Sequence, residues 1–272
     1  MKNTRWIILV VMFACGVARA QTSPATTDAQ LCRTADNPDI AIKHCTAALK
    51  LDAKTTHAHY YRGRAYSNNG EFDRAIADFD AAIKLRTDDP VLYHARAIEL
   101  TIKGDYPRAA ADFDKALQLD AKAEGVHFAR GRLLFYQSNF ARAASDFEIA
   151  FKTQPNIYTA LWLYLARNRG GNPDADELLE RETRRLRAGW PAPVIALYLA
   201  RTDVNSVVAG TTTPDAVRRR EMRCEADFYI AQAHLIKGER PAAQTLLQGV
   251  VRDCPKNLLE HEGAAAELRR LK

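Results

Sequence analysis

The stretch HYYRGRAYSNNGEFDRAIADFDAA, at residues 59–82, decides the fold of this 272-residue chain. Two further stretches align with it without gaps: YHARAIELTIKGDYPRAAADFDKA at 93–116 and HFARGRLLFYQSNFARAASDFEIA at 127–150. Each begins 34 residues after the one before it. A fixed period of this length is the signature of a repeat architecture, so the sequence predicts stacked structural repeats.

The positions that coincide in the three stretches indicate pairs of closely packed helices. Small residues such as Gly63, Ala75 and Ala82 let two helices approach, and we expect aromatic Tyr66 and Phe79 to fill the space between units. The side chains that recur at the repeat spacing are Arg62, Arg96 and Arg130; Asp78, Asp112 and Asp146; and Phe79, Phe113 and Phe147. This pattern predicts two helices per unit.

The repeat positions resemble those of tetratricopeptide repeats. That resemblance implies an all-α, right-handed solenoid of antiparallel helix pairs, with a degenerate repeat region in the middle. The predicted segments are a half-repeat at 29–55, repeats at 56–89, 90–123 and 124–157, a degenerate region at 158–222, a last repeat at 223–256 and a C-terminal capping helix at 257–271. Before the last repeat, Thr213 is predicted to cap a helix that has Pro214 as its first residue.

The first twenty residues have the pattern of a secretory signal peptide. Lys2 and Arg5 precede an apolar run at 6–13, and Ala18-Arg19-Ala20 predicts cleavage between Ala20 and Gln21. We expect a flexible tail at 21–28 after cleavage. Export to the periplasm follows. An alternative is a lipid anchor on Cys15, which follows Ala14 but lacks the usual Leu three positions before it.

The net charge gives little support to nucleic-acid binding. The formal charge of +6 includes three basic residues and no acid in the first twenty positions. Without those three, the 39 Lys and Arg fall to 36, against 33 Asp and Glu, which leaves a net charge of +3.

Four cysteines remain after the predicted cleavage, and an even number in an exported chain indicates disulfides. Three connectivities are possible, and we expect the local pairs Cys32–Cys45 and Cys224–Cys254. In the last repeat, Cys224 would begin the first helix and Cys254 would end the second, which brings the two side chains together. No CxxC spacing indicates a redox or zinc site.

The second half of the chain narrows the resemblance. The sequence LWLYLA at 161–166 and an N-x-x-E-H segment at 257–261, in this order, resemble the NlpI-like periplasmic lipoproteins built from the same repeats. The resemblance covers roughly residues 57–272. It implies a non-enzymatic, usually homodimeric adaptor that docks a processing protease and cell-wall (murein) hydrolases. The lipoprotein signal and the four cysteines depart from that family.

The repeated Arg and Asp positions admit two interpretations. Arg62–Asp78, Arg96–Asp112 and Arg130–Asp146 could form a repeated anion site, but three identical spacings favour structural ion pairs inside each repeat.

The inner face of such a solenoid is lined by the first helix of each repeat. Aromatic and Arg side chains are frequent anchors of protein interfaces, so we interpret this face as a partner-binding groove. A solvated face with scattered aromatic residues is the competing interpretation. The candidate groove residues are His57, Tyr60, Arg64, His94, Phe128, Arg132, Phe135 and Trp162.

No motif predicts catalysis, a cofactor or a metal. His57 and His59 are two apart and point in different directions on a helix. His261-Glu262 begins an HExxH pattern, but Ala265 stands where the second His is required. We therefore expect a non-enzymatic periplasmic adaptor that binds extended segments of other envelope proteins. The alternative is a structural or assembly subunit of an envelope complex that uses its convex or dimer surface.

Overall fold

The structure, a computed structural model, describes residues 24–123, 125–186 and 189–272. The predicted signal peptide, Cys15 and the Ala20–Gln21 cleavage site lie outside these residues. The described chain is all-α, as predicted, and its helices pack in consecutive antiparallel pairs. Among the described residues, no helix is both long and apolar enough to cross a membrane.

Fifteen helices are present in the described part of the chain. Their bounds are α1 Pro24–Thr34, α2 Pro38–Leu51, α3 Thr56–Asn68, α4 Phe72–Leu85, α5 Pro90–Lys103, α6 Tyr106–Leu119, α7 Val126–Tyr136, α8 Phe140–Thr153, α9 Ile157–Arg169, α10 Ala175–Thr183, α11 Ala192–Tyr198, α12 Val204–Ala209, α13 Ala216–Ile236, α14 Arg240–Asp253 and α15 Leu259–Leu271.

Each repeat is held together by a ring that lies where a glycine has no side chain. A Cβ atom added to Gly63 of α3 would lie 2.8 Å from Cε1 of Phe79 in α4, and Gly131 meets Phe147 at the same distance. The prediction that Phe79 fills space between units is therefore incomplete, because its ring also packs within its own repeat. Any larger residue at Gly63 would push the two helices apart.

Short-range signals in the sequence set where these helices begin and end. Asn37 and Asp89 cap helices that have Pro as their first residue, with side-chain oxygens that accept backbone N–H groups of the first turn. Gly70 and Gly104 lie between the two helices of a repeat with φ of 75° and 81°. Such positive φ values favour glycine, so the turn length is fixed locally.

Two predicted boundaries are wrong. Helix α1 begins at Pro24, so residues 24–28 are helical and do not form the predicted tail. Helix α13 begins at Ala216 and its N-cap is Asp215, which accepts from the N–H groups of the next turn; Thr213 is not the cap. An Asp carboxylate two residues further along the chain provides the better cap.

Both predicted disulfides are present. Cys32 and Cys45 join α1 to α2, with Cα atoms 4.6 Å apart. Cys224 and Cys254 join α13 to the end of α14 at a Cα distance of 5.9 Å. Because α13 begins eight residues before Cys224, that residue lies within the helix and not at its start. The first helix of the last repeat is thus longer than the repeat pattern predicts.

The C-terminal helix packs against first helices of several repeats. Helix α15 contacts α7 and α13 as well as its neighbour α14. A Cβ atom on Gly263 would lie 2.8 Å from Phe228 of α13 and 3.4 Å from Trp162 of α9. The segment predicted as a cap at 257–271 therefore covers the inner face of the second half of the molecule.

Candidate functional site

One side chain from each of the helices α3, α5, α7 and α9 contributes to a row along the inner face. Tyr60, His94, Phe128 and Trp162 follow one another at the 34-residue spacing. The Tyr60 ring centroid lies 6.1 Å from that of Phe79, and the next two members contact the corresponding Phe rings of their own repeats at 6.1 and 5.6 Å. The repeat geometry thus turns a sequence period into an aromatic row.

At the N-terminal end, this row is accessible. His57 and Arg64 are exposed and Tyr60 is half-buried, all on α3. The Arg64 guanidinium carbon lies 5.8 Å from the Tyr60 ring centroid. Burial raises the pKa of the Tyr60 hydroxyl, although the nearby Arg64 charge opposes the shift. In the described part of the chain, no carboxylate forms an ion pair with Arg64.

His94 and Phe128 occupy the middle of the row and are partly buried. Burial, with a smaller contribution from the positive charge of Arg132, lowers the pKa of His94 to about 4. His94 is therefore neutral at physiological pH and contributes a flat, polar ring to the face. Gly125 lies beside this ring, and a Cβ atom added to it would be 3.4 Å from His94 Cε1.

Three predicted groove residues do not line an open groove. Trp162, Phe135 and Arg132 are 0%, 1% and 3% exposed, because α15 covers them. The Trp162 ring packs at 5.4 Å from Phe135 and 5.6 Å from Phe228. Their position on the first helices was predicted correctly from the repeat; the burial was missed because no sequence pattern indicates where α15 docks.

Helix α15 is held on this face by buried pairs of carboxylates and guanidinium groups. Arg132 Nη2 donates to Glu262 at 3.0 Å. Arg169 of α9 donates to Glu267 at 3.1 Å. Arg270, which is on α15 itself, donates to the other oxygen of Glu267 and to the Phe135 carbonyl oxygen of α7, both at 2.8 Å. Burying an ion costs several kcal/mol unless it is paired, so these contacts fix the register of α15 on α7 and α9.

The predicted Arg–Asp pairs are two-bonded ion pairs inside the repeats. Arg96 donates from Nε and Nη2 to Asp112 at 2.7 and 2.6 Å. Arg62–Asp78 and Arg130–Asp146 have the same geometry. Their regularity supports a structural role.

Each of these arginines also reaches the preceding repeat, a contact that was not predicted from the sequence. Arg96 Nη1 donates to Asp80 at 2.6 Å, and Arg130 Nη1 donates to Asp114 at 2.8 Å. In the first repeat, Thr46 takes the place of the Asp. The common spacing of 16 residues was the available signal: each Arg lies 16 residues before one partner and 16 after the other.

A cavity of about 740 Å³ lies where the N-terminal ends of α7 and α9 and the C-terminal end of α8 meet α13 and the start of α15. Phe128, Ile149 and Leu259 contribute apolar walls. Two carboxylates, Glu225 and Glu260, also line it, and each is 4% exposed.

The two carboxylates differ in their partners. Glu225 accepts hydrogen bonds from Trp190 and Tyr158 and forms an ion pair with Arg218. Glu260 accepts a bond from the Tyr229 hydroxyl at 3.3 Å. Burial, with a smaller contribution from the neighbouring charge of Glu225, raises the pKa of Glu260 to about 7.

The histidines that invite a metal interpretation have other roles. His59 Nδ1 lies 3.0 Å from Asp78 Oδ1, so it joins the Arg–Asp pair of its repeat. His261 Nε2 lies 3.2 Å from the Val251 carbonyl oxygen. Over residues 24–123, 125–186 and 189–272, no group of three or more His, Cys, Asp or Glu side chains is arranged to hold a metal ion.

Comparison with protein families agrees with this architecture. The model of the tetratricopeptide repeat matches residues 29–90 and 128–193. No curated protein sequence matches the chain.

Three solved structures that share this fold are compared with the chain below. MamA superposes with a TM-score of 0.54 at 17% identity, over 60% of this chain and 93% of MamA. A tetratricopeptide repeat protein from Parabacteroides merdae gives 0.54 at 16% identity, over 86% and 92% of the two chains. Pseudomonas aeruginosa PilF gives 0.50 at 18% identity, over 78% and 97%. At these identities the likeness shows a shared fold alone.

Proposed function

Given that this chain is a tetratricopeptide repeat protein, we propose that it is a non-enzymatic adaptor of the periplasm. Proteins built from these repeats are protein–protein interaction scaffolds and are typically non-catalytic. The binding surface we propose is the inner face of the first two full repeats, formed by His57, Tyr60, Arg64 and His94.

The observation that carries this proposal is a comparison of two equivalent arginines. Arg64 and Arg132 occupy the same repeat position, two repeat lengths apart. Arg132 pairs with Glu262 on a helix docked across the inner face. Arg64 is exposed and lies beside the Tyr60 ring. The position therefore suits a carboxylate on a docked segment, and at Arg64 a partner protein would supply it.

The periplasmic location is supported by two features. The N-terminal sequence has a signal-peptide pattern, and the described chain holds two disulfides. Disulfides persist in oxidising compartments such as the bacterial periplasm. Acylation of Cys15 would add an outer-membrane anchor to the same adaptor.

A processing protease and murein hydrolases are the partners we propose, following the resemblance of residues 57–272 to NlpI-like proteins. An adaptor of this kind holds protease and substrate together, and a homodimer would offer two binding faces. No nucleic-acid partner is proposed.

A crosslinking pull-down tests this proposal. Residues 21–272 serve as bait in periplasmic extract, and the captured proteins are identified by mass spectrometry. A Tyr60→Ala/Arg64→Ala double variant should lose most of the captured protease and hydrolase. Arg142→Ala is the matched control, because Arg142 is exposed on α8 and forms no ion pair among the described residues. Equal capture by the double variant would exclude the inner face as the binding surface.

An assembly subunit that binds through its outer surface is the second candidate. Leu51 and Leu85, at the ends of second helices α2 and α4, are 68% and 40% exposed. Recovery of a single stoichiometric complex that survives in the double variant would favour this alternative.

A further inference from the structure

The buried acids of α15 differ in one respect. Glu260, Glu262 and Glu267 are all less than a tenth exposed. Glu262 pairs with Arg132, and Glu267 pairs with Arg169 and Arg270. Within the described residues, no Arg, Lys or His lies within 4.0 Å of the Glu260 carboxylate. A carboxylate removed from water normally has a cationic or strongly hydrogen-bonding partner, so Glu260 is the exception.

Glu260 also lines the apolar cavity of about 740 Å³. Cavities of this size that combine apolar walls with a few polar groups are typical binding sites. The walls include Ile149, which is 43% exposed although it is large and apolar, and the half-buried Phe128. An apolar ligand segment would therefore remove these side chains from water.

The charged side chains inside the cavity are carboxylates, and a cationic side chain lies only at its edge. Glu225 is engaged by Arg218, Tyr158 and Trp190, which leaves Glu260 as the carboxylate without an ion pair. Lys122 is exposed at the rim. His127 Nδ1 lies 2.9 Å from Asp146, so its ring is engaged in the third repeat.

We propose that this cavity binds a Lys or Arg side chain of a partner polypeptide, flanked by apolar residues, with Glu260 as its counter-ion. The cation would take the place that Arg132 takes at Glu262 and Arg169 takes at Glu267. The flanking apolar residues would pack on Phe128, Ile149 and Leu259. This inference rests on the proposed function, because it assumes that the bound molecule is a polypeptide.

The proposal predicts a pH dependence of binding. Glu260 must be ionised to pair with a cation, so affinity should rise between pH 6 and pH 8. The groups that influence Glu260 are Glu225 and Tyr229 from α13 and Arg132 from α7. Glu225 favours the neutral form, whereas Arg132 and the Tyr229 hydroxyl favour the charged form.

Fluorescence anisotropy with three labelled nonapeptides tests the inference. The peptides share Leu residues around a central Lys, norleucine or Glu. Residues 21–272 should bind the Lys peptide about tenfold more tightly than the norleucine peptide, and the Glu peptide most weakly. The preference for Lys should increase from pH 6 to pH 8, whereas binding of the norleucine peptide should not change.

Two variants and one control locate the site. Glu260→Gln should reduce affinity for the Lys peptide to that of the norleucine peptide. Ile149→Ser should weaken binding of the Lys and norleucine peptides alike, and the fold should tolerate it because the Ile149 side chain is exposed. Glu177→Gln is the matched control, because Glu177 is exposed on α10 and the charge change is the same.

Several results would overturn the inference. The first two are equal affinity for the Lys and norleucine peptides, and a preference for the Lys peptide that is unchanged in Glu260→Gln. The others are no peptide binding up to about 1 mM, and binding of n-hexylamine as tight as that of the Lys peptide. The last result would indicate a small-amine site. If these occur while capture of envelope partners still depends on Tyr60 and Arg64, the proposed function survives. If the Lys preference holds but no partner is captured, the proposed adaptor function fails instead.

Discussion

Arg64 and Arg132 occupy the same position in two repeats of one chain, yet one is exposed and the other is 3% exposed. The difference lies outside both repeats. Helix α15 reaches α7 and α9 and brings Glu262 to Arg132, but among the described residues no ion pair or hydrogen bond joins it to α3. The same contrast holds between half-buried Tyr60 and fully buried Trp162.

This comparison separates what a repeat provides from what its surroundings provide. A solenoid repeat contacts mainly its neighbours. In the first repeats the two helices therefore pack on each other and on the adjacent repeats, and their inner face stays open. In the second half, a helix that belongs to no repeat fills that face. The same type of side chain thus offers a binding surface in one half and a structural contact in the other.

The largest expected effect comes from the aromatic row. Trp162→Ala should lower the free energy of unfolding by about 4 kcal/mol, because a fully buried ring is replaced by a void under α15. Tyr60→Ala, at the equivalent position, should lower it by about 1 kcal/mol. Urea denaturation of both variants measures the difference. Similar losses would mean that the inner face is equally covered in both halves.

The two arginines provide a second test. Arg132→Ala should cost about 3 kcal/mol, because Glu262 would remain buried without its partner. Arg64→Ala should change stability by less than about 0.5 kcal/mol. Chemical denaturation at pH 7 checks both values. A large loss in Arg64→Ala would contradict the exposed, unpaired state of this residue among the described residues.

The ion pairs inside and between repeats allow a finer comparison. Asp112→Ala removes the two-bonded partner of Arg96, whereas Asp80→Ala removes only the contact to the preceding repeat. We expect losses of about 2 kcal/mol and about 0.5 kcal/mol, since Asp112 is the more buried of the two. Thermal unfolding of both variants measures them, and a reversed order would place the main contribution between repeats.

Glu260 should give the second half a pH dependence of stability. Its pKa is about 7 in the folded chain, above the ordinary value of 4.5, so the folded state binds more protons between those values. Stability should therefore fall as pH rises from about 4.5 to 7 and then level off. In Glu260→Gln this decrease should shrink by about 2 kcal/mol. Denaturation of both proteins at pH 5 and pH 8 measures the change, and parallel pH profiles would contradict it.

Much of the first half was predictable because its determinants are local or periodic. Gly63 and Phe79 recur at fixed spacing, and Asp89 with Pro90 marks a helix start. The Arg–Asp spacing of 16 residues follows from two helices and one turn of constant length. These features depend on neighbouring residues, so the sequence contains them directly.

The candidate site was only partly predictable. The aromatic row could be derived from the repeat. The burial of Phe135 and Trp162 could not, because it depends on α15, which is distant from both residues in the sequence. The cavity at Glu260 was missed for the same reason. Its lining comes from five helices, and no linear spacing relates Phe128 to Glu225.

The sequence by itself determined the repeat length, the helix pairs and the turns at Gly70 and Gly104, and it favoured the two local cysteine pairs that the structure contains. Only the tertiary structure decided which part of the inner face stays open. The physical reason is range: capping, turn formation and repeat packing act between neighbours, whereas the docking of α15 depends on shape and charge complementarity between distant segments. That docking buries Arg132 and leaves Arg64 exposed.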